Sequence, residues 1–234
     1  MDIVLAPQRS IGESMSIPPA SQPIDKLAGQ IRHRLLLAIE QFQVLDKVML
    51  GKALSAAEEV HRGQFRKANK QSPAQGAPYI VHPMRVALII VDELELKEPL
   101  AVATALLHDS VEMSNGKLTI GQVEETFGRP IAMMVSILTK PALKADTPFV
   151  EREQKLRIYR ERISHASVET KLVKLADRLD NLRDSQDIMD KGFQMRYLKE
   201  TRDFYMPMAE TTDSYLLDEM GVACERLENG IKFG

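Results

Sequence analysis

The amino-acid sequence predicts an all-α protein. From Ile24 onward, apolar residues recur at i, i+3 and i+4 in one segment after another, which is the period of amphipathic helices. No stretch shows convincing strand-like alternation, and only 5% of the residues are aromatic, with no Trp among them. The chain also lacks a repeat of fixed period. These observations predict a bundle of about ten helices.

The predicted helices follow in chain order and are separated by Pro- and Gly-containing breaks. The loop NKQSPAQGAP interrupts the helical period, and Pro83 suits the first turn of the next helix. Thr119 and Gln122 have the spacing of a capping box, and Thr147–Pro148 has that of an N-cap followed by Pro. The predicted helices are LAGQIRHRLLLAIEQF, VLDKVMLGKALSAAEEVHRGQFRKA, VALIIVDEL, PLAVATALLHDSVEM, IGQVEETF, IAMMVSILTK, FVEREQKLRIYRERI, VETKLVKLADRLDNLRD, FQMRYLKETRDFYMPMAE and DSYLLDEMGVACERLE.

The first 23 residues differ in composition from the rest of the chain. They contain four prolines and four serines and show no sustained period. We therefore expect residues 1–23 to be a flexible N-terminal extension and residues 24–234 to form one domain.

Composition and charge narrow the class of protein. The formal net charge of −2 argues against a dedicated nucleic-acid binder, which would carry a basic excess. The single cysteine, Cys224, cannot form an internal disulfide. No apolar run approaches the length of about 20 residues that a membrane span needs, and the N-terminus does not resemble a secretory signal. We expect a cytoplasmic protein with neither membrane nor nucleic acid as a partner.

Four residues are candidate metal ligands because each is a His or Asp inside an apolar, helical stretch. Charged groups in such positions are costly unless they are paired or bind a cation. Two imidazoles and two carboxylates suit Mn, Fe or Zn without selecting among them. The candidates are His82, His108, Asp109 and Asp177.

Glu112 is the candidate catalytic residue. It lies four residues after His108 on the same predicted helix, so the two side chains share a face. A carboxylate beside a metal-bound water can accept its proton. The competing interpretation is structural, since an HD dipeptide is common by chance and an Asp among basic residues often forms surface ion pairs.

Basic residues close to these motifs suggest a phosphate-bearing substrate. The segment HRGQFRKANK contains Arg62, Arg66, Lys67 and Lys70 and no acid. The alternative is a solvated helix end. We interpret His61 as a packed structural histidine. Of Arg178 and Arg183, we expect one to pair with a carboxylate and the other, for which Arg183 is the candidate, to reach a phosphate.

Four blocks of sequence carry a resemblance to a known family. They are HRGQFRK with GAPYIVHPMRVA, ATALLHDSVE, TIGQVEETFGRPIAMMVSILTK and VKLADRLDNLRD, and a weaker fifth is ETRDFYMPMAE. Over roughly residues 50–215 the chain resembles the hydrolase domain of RelA/SpoT-homologue proteins, especially the small alarmone hydrolases, within the HD metal-phosphohydrolase superfamily.

This resemblance implies an HD fold and a Mn²⁺-dependent enzyme that removes the 3′-diphosphate from (p)ppGpp, giving GDP or GTP and pyrophosphate. It implies that the four candidate ligands hold the metal. Glu112 matches the first acid of a Glu–Asp pair that activates water. Arg66, Lys67 and Asn181 match residues that lie beside or contact the nucleotide.

The chain also departs from the family pattern. Met113 replaces the usual second acid, and a thioether can neither carry charge nor relay a proton. Asp180 stands where the long family members usually have His. The loop after Lys67 is longer than usual, so Lys70 could substitute for Arg66 or Lys67.

Two other functions stay open at the level of sequence. One is an HD phosphohydrolase of another nucleotide, such as (p)ppApp, NADPH or a phosphorylated nucleoside. The other is a degenerate HD module that binds a nucleotide or a partner helix without turnover. The sequence does not determine the oligomeric state.

Overall fold

Helices account for nearly all regular structure in the computed structural model, which describes residues 24–66, 76–144, 146–188 and 190–233. Within these ranges we number twelve α-helices, and two π-helical turns interrupt them. The first six helices are α1 (Ile24–Ile39), α2 (Val44–Val60), α3 (Val81–Leu88), α4 (Pro99–Leu107), α5 (Ser110–Met113) and α6 (Ile120–Phe127). The others are α7 (Arg129–Leu138), α8 (Phe149–Ser164), α9 (Val168–Ile188), α10 (Lys191–Glu200), α11 (Met206–Glu210) and α12 (Ser214–Phe233). The π turns are Ile89–Glu93 and Thr201–Tyr205.

The predicted all-α class is confirmed. The single β-type contact among the described residues is an isolated antiparallel bridge between Phe65 and Pro78. It closes the base of the segment that contains residues 67–75. These residues, like the predicted extension at 1–23, lie outside the described part of the chain. Within that part, no helix combines the length and the apolar character needed to cross a membrane.

Helix α4 lies at the centre of the molecule. Seven consecutive residues of this helix, 101–107, are buried, so it is apolar on all sides, as a core helix must be. It packs against α2, α3, α7 and α9, while α9 also packs against α3 and α12. Burying a leucine such as Leu106 or Leu179 completely contributes roughly 1.5–3 kcal/mol. This packing brings α3, α4 and α9 together, and these three helices carry the candidate ligands.

The segment PLAVATALLHDSVEM is not one continuous helix, contrary to prediction. Helix α4 ends at Leu107, and α5 begins at Ser110. At the junction, Nδ1 of His108 approaches the carbonyl oxygen of Ala105 at 2.8 Å, and Asp109 becomes the N-cap of α5. His108 and Asp109 therefore lie at a junction between helices, where their side chains are not bound to the spacing of a single helix.

Two predicted helix starts have different outcomes. The capping box of α6 is confirmed, because the Thr119 side chain accepts from the backbone N–H of Gln122 while the Gln122 side chain accepts from that of Thr119. The prediction that Thr147 caps the next helix is wrong. Pro148 has extended backbone angles (φ −56°, ψ 145°) and is itself the N-cap of α8, without a side-chain capping bond.

Candidate metal centre

The four predicted metal ligands come together between α3, α4 and α9. His82 is near the start of α3, His108 and Asp109 occupy the α4–α5 junction, and Asp177 is in the middle of α9. One donor atom from each of His82, His108 and Asp177 lies within 4.8 Å of the others. Residues nearly a hundred positions apart thus form one buried cluster.

Asp109 completes the cluster through its Oδ2 atom. This oxygen lies 3.2 Å from Nε2 of His108 and 3.6 Å from Nε2 of His82. The Oδ1 atom of Asp177 lies 3.1 Å from Nε2 of His82 and 3.7 Å from Nε2 of His108. The donors of His82, His108 and Asp177 therefore converge, and the Asp109 oxygen lies beside the two imidazole nitrogens.

These donors fit a divalent cation. Nε2 of His108 is buried and has no hydrogen-bond partner within the described residues. A buried polar atom without a partner is rare and calls for an explanation such as a bound ion. Mixed nitrogen and carboxylate donors are the ligands that Mn, Fe and Zn accept in proteins.

Both histidines turn the same ring nitrogen toward the cluster. Nδ1 of His82 lies 2.6 Å from Oδ2 of Asp180, and Nδ1 of His108 lies 2.8 Å from the carbonyl oxygen of Ala105. A proton on each Nδ1 satisfies these contacts. The Nε2 lone pair of each ring is then free for a metal.

Asp177 is held by two residues of its own helix. Nζ of Lys174 donates to Oδ2 at 2.7 Å, and Nδ2 of Asn181 donates to Oδ1 at 2.6 Å. Burial would raise the pKa of Asp177, but the Lys174 ammonium holds that pKa well below its usual range. Asp177 is therefore an anion at neutral pH. Lys174 was not among the predicted site residues, although its spacing of three residues from Asp177 was a usable signal.

Asp109 is held by a tyrosine that the sequence analysis also missed. The hydroxyl of Tyr79 donates to Oδ2 of Asp109 at 2.6 Å. The Tyr79 ring stacks on His61 with ring centroids 4.8 Å apart. His61 is buried, and its Nδ1 contacts the side-chain oxygen of Gln64 at 2.9 Å, so the interpretation as a packed structural histidine is confirmed.

Without a metal, the cluster contains a protonated histidine next to ionised carboxylates. Burial would lower the pKa of His108, but the Asp109 and Asp177 carboxylates raise it to about 10. Burial would raise the pKa of Asp109, but the adjacent His108 lowers it well below its usual range. The metal-free site therefore carries a proton that a cation must displace.

The Glu112 side chain is exposed and makes one described hydrogen bond. Its Oε2 accepts a hydrogen bond from the backbone N–H of Lys140 at 3.3 Å. Repulsion from Lys174 and burial act to lower the pKa of Lys140, but Asp109, Asp177 and Glu112 outweigh them and raise it. Lys140 is thus a cation beside the carboxylates of the cluster. No role was predicted for Lys140 from the sequence.

Arg66 and Asn181, predicted to lie at the nucleotide, contact each other. One guanidinium nitrogen of Arg66 donates to the side-chain oxygen of Asn181. Another donates to Asp184 at 2.6 Å and to Asp180 at 3.3 Å. Lys67 and Lys70 lie outside the described residues.

Arg178 and Arg183 both pair with glutamates. Arg183 binds Glu93 with two parallel hydrogen bonds of 2.9 Å and also contacts Glu219, which ties α9 to a π turn and to α12. Arg178 lies between the rings of Tyr197 and Tyr205, at 3.9 and 3.8 Å from their centroids, and donates to Glu200. No described contact joins either arginine to the ligand cluster.

Comparison with known proteins agrees with this geometry. A family model described as an HD domain matches residues 53–213. The chain belongs to the HD-domain family, in its RelA/SpoT-homologue branch. A bundle of helices with His, His–Asp and Asp donors in this order is the expected arrangement, and HD domains bind divalent metals.

Individual relatives extend the comparison. The chain is 36% identical over 152 residues to the guanosine-3′,5′-bis(diphosphate) 3′-pyrophosphohydrolase MESH1 of Danio rerio, covering 65% of this chain and 77% of that protein. It is 35% identical over 167 residues to a GTP pyrophosphokinase of Myxococcus xanthus, covering 70% of this chain and 20% of that protein. The chain thus spans about a fifth of the length of this long relative.

The chain is also similar in fold to a solved structure. It is that of a metazoan orthologue of SpoT that hydrolyses ppGpp. The match has a TM-score of 0.64 at 26% identity, and it covers 76% of this chain and 94% of the other.

Proposed function

We propose that this protein is a metal-dependent hydrolase that removes the 3′-diphosphate from (p)ppGpp to give GDP or GTP and pyrophosphate. The observation that carries the proposal is the convergence of His82, His108 and Asp177 donors within 4.8 Å, with Asp109 beside them. Support comes from MESH1 relatives of similar length, which are named for this reaction. We further propose that residues 24–234 act as one HD-type unit.

The four ligands would hold the metal, and we propose Mn²⁺, with Fe or Zn as alternatives that the same donors accept. When bound, the ion would supply Lewis acidity, which lowers the pKa of water toward neutral. His82 and His108 offer Nε2, because each Nδ1 contacts an oxygen acceptor. Asp109 and Asp177 neutralise the ion's charge.

Glu112 is the proposed general base. Its exposed carboxylate contacts the backbone N–H of Lys140, and it follows His108 and Asp109 closely in the chain, so we assign it the proton of the attacking water. The water oxygen bonds to the phosphorus next to the ribose 3′ oxygen, the ester bond to that oxygen breaks, and the 3′ oxygen leaves with a proton. General-base assistance of this kind contributes roughly 10²–10⁴ in rate.

Cations of this chain would hold the phosphates and the nucleoside. We propose that the Lys140 ammonium contacts the diphosphate, because the backbone N–H of Lys140 binds Glu112 and a lysine cation suits a phosphate. We propose Arg66, Lys67 and Asn181 as nucleotide contacts. Arg183 is instead given a structural role, because it binds Glu93 and Glu219 and has no described link to the cluster, whereas Arg66 reaches Asp177 through Asn181.

The decisive experiment is hydrolysis by the purified full chain. With Mn²⁺ and ppGpp we expect GDP and pyrophosphate in equal amounts, and we expect Glu112→Gln to lower kcat by roughly 10²–10⁴. The matched control is Glu125→Gln, since Glu125 is an exposed acid on α6 without a described contact to the cluster. Release by the wild type that does not exceed release by Glu112→Gln would reject the proposal.

Met113 favours a second candidate, a hydrolase of another nucleotide. Position 113 carries a half-buried thioether and therefore supplies no acid. Its backbone carbonyl accepts a hydrogen bond from Nε2 of Gln64 at 3.0 Å. A panel of ppGpp, ppApp, NADPH and 3′- or 5′-phosphorylated nucleosides discriminates the two. Higher kcat/KM for ppGpp than for every other member excludes this candidate.

A module that binds without turnover is the third candidate, and any turnover by the wild type excludes it.

We propose that the protein acts on a free nucleotide in the cytoplasm. A chain with one cysteine suits that reducing compartment.

A further inference from the structure

Asp180 is a buried carboxylate that no step of the proposed reaction uses. It is 2% exposed and lies three residues after Asp177, one helical turn along α9. Its Oδ2 is 2.6 Å from Nδ1 of His82. A buried carboxylate is costly unless its oxygens are paired. Partners for the Asp180 oxygens are therefore needed to offset the cost of its burial.

Two arginines from different parts of the chain hold this carboxylate in place. Arg85, one turn after His82 on α3, approaches Oδ1 with Nε at 2.6 Å and donates to Oδ2 from its terminal nitrogen at 3.0 Å. Arg66 donates to Oδ2 at 3.3 Å. Two guanidinium groups thus face the Asp180 carboxylate and supply the pairing that a buried charge needs.

The contacts of Asp180 close a ring of polar groups around two metal ligands. From His82 the ring runs through Asp180 to Arg66, and from Arg66 through Asn181 to Asp177. Nε2 of His82 lies 3.1 Å from Oδ1 of Asp177 and closes it. The orientation of the His82 ring is thus set by groups that are themselves fixed.

We propose that Asp180 is a positioning residue that sets the metal affinity of the site by fixing the tautomer and orientation of His82. An anionic acceptor on Nδ1 keeps the proton there, presents the Nε2 lone pair to the metal and raises the basicity of the ligand. The inference rests on the proposed metal centre but not on the identity of the substrate.

The test compares Asp180→Asn with Asp184→Asn in the full chain. Asn keeps the shape and an acceptor oxygen but removes the charge. Asp184 is the matched control, because it pairs with the same two arginines and has no described contact with a metal ligand. The measurement is the Kd of Mn²⁺ for EDTA-treated protein, from titration of free Mn²⁺ by electron paramagnetic resonance, with circular dichroism to verify folding.

We expect Asp180→Asn to weaken Mn²⁺ binding about 10- to 100-fold and Asp184→Asn to change it less than about threefold. Equal Kd values for Asp180→Asn and the wild type, or equal losses in both variants, would overturn the inference. Wild-type protein that binds Mn²⁺ without cleaving ppGpp would reject the substrate and leave this inference intact. Wild-type protein without affinity for Mn²⁺ would reject the metal centre and the inference together.

A second measurement does not depend on the variants folding. In the Zn²⁺-loaded wild type, which is diamagnetic, nitrogen-15 NMR of the histidine rings reports which nitrogen carries the proton. We expect His82 to be protonated at Nδ1, with a proton shifted downfield by its bond to Asp180. A His82 ring protonated at Nε2 would contradict the proposal.

Discussion

Nζ of Lys174 lies 2.7 Å from Oδ2 of Asp177, so a buried ammonium already neutralises one of the carboxylates that would bind the metal. The Asp177 oxygen on the other side, Oδ1, faces the two histidines. The Asp177 carboxylate thus lies between the Lys174 ammonium and the position where a metal ion would bind. This arrangement explains how the chain can keep the Asp177 carboxylate buried beside two histidines before a metal binds.

We expect Lys174→Met to make the fold dependent on metal. Removing one partner of a buried ion pair costs about 3–5 kcal/mol, because the other charge is left uncompensated. A divalent ion on Asp177 would supply the missing positive charge. Urea unfolding with EDTA and with saturating Mn²⁺ measures both effects, and Mn²⁺ should raise the free energy of unfolding more in the variant than in the wild type. An equal Mn²⁺ effect in both proteins would show that Lys174 does not compensate the ligand.

Tyr79→Phe should weaken metal binding with little loss of stability. The change removes the hydroxyl that donates to Asp109 and keeps the ring that stacks on His61. Losing a hydrogen-bond partner of a metal ligand typically costs about 10- to 100-fold in metal affinity, so we expect a loss of roughly tenfold or more for Mn²⁺. The control is Tyr215→Phe, which removes a tyrosine–carboxylate bond to Glu93 on another part of the molecule. Similar Mn²⁺ affinities for the two variants would argue against a role of Tyr79 at the site.

Met113→Asp should increase hydrolysis of ppGpp. The substitution restores the second acid of the family pattern one residue after Glu112, and Met113 is half-buried at the C-terminal end of α5. Because proton transfer by a placed carboxylate contributes roughly 10²–10⁴ in rate, a gain of at least tenfold in kcat is expected. The neighbouring change Ser114→Asp serves as a control for added charge, with folding verified, since the Ser114 hydroxyl bonds backbone groups there. An unchanged or lower kcat would mean that the site uses one acid only.

The metal-free protein should lose stability steeply below about pH 5. The pKa values of Asp109, Asp177 and Asp180 are lowered in the folded state, whereas an unfolded Asp titrates near 3.9. As the pH falls, the unfolded chain binds protons first, so the free energy of unfolding declines by up to about 1.4 kcal/mol per pH unit for each carboxylate. Urea unfolding between pH 6 and pH 3 in EDTA measures this slope.

His108 acts in the opposite direction at higher pH. Its folded pKa of about 10 is above the unfolded value near 6.5, so its contribution is complete below about pH 6.5 and is lost as the pH rises toward 10. The metal-free protein should therefore be most stable between about pH 5 and 6.5. A stability that is constant from pH 6 to pH 3 would contradict the ionised state of the three carboxylates.

The sequence by itself determined the helical class and singled out the four candidate ligands. Helical periodicity is a local property, and His82, His108, Asp109 and Asp177 are conspicuous because each interrupts an apolar helix face. The i, i+4 relation of Asp177 and Asn181 was likewise readable from spacing, and the two side chains do form a hydrogen bond. These features depend only on residues a few positions apart.

The tertiary structure alone decided which groups from other helices hold those ligands. The bond from His82 to Asp180 joins residues 98 positions apart, and that from Arg66 to Asp184 spans 118. The break after Leu107 and the pairing of Arg183 with Glu93 likewise depend on which helices pack together. Spacing along one helix sets which side chains share a face, but it contains no information about what the opposing helix presents. The candidate ligands and their partners on the same helix could therefore be predicted, whereas their partners on other helices could not.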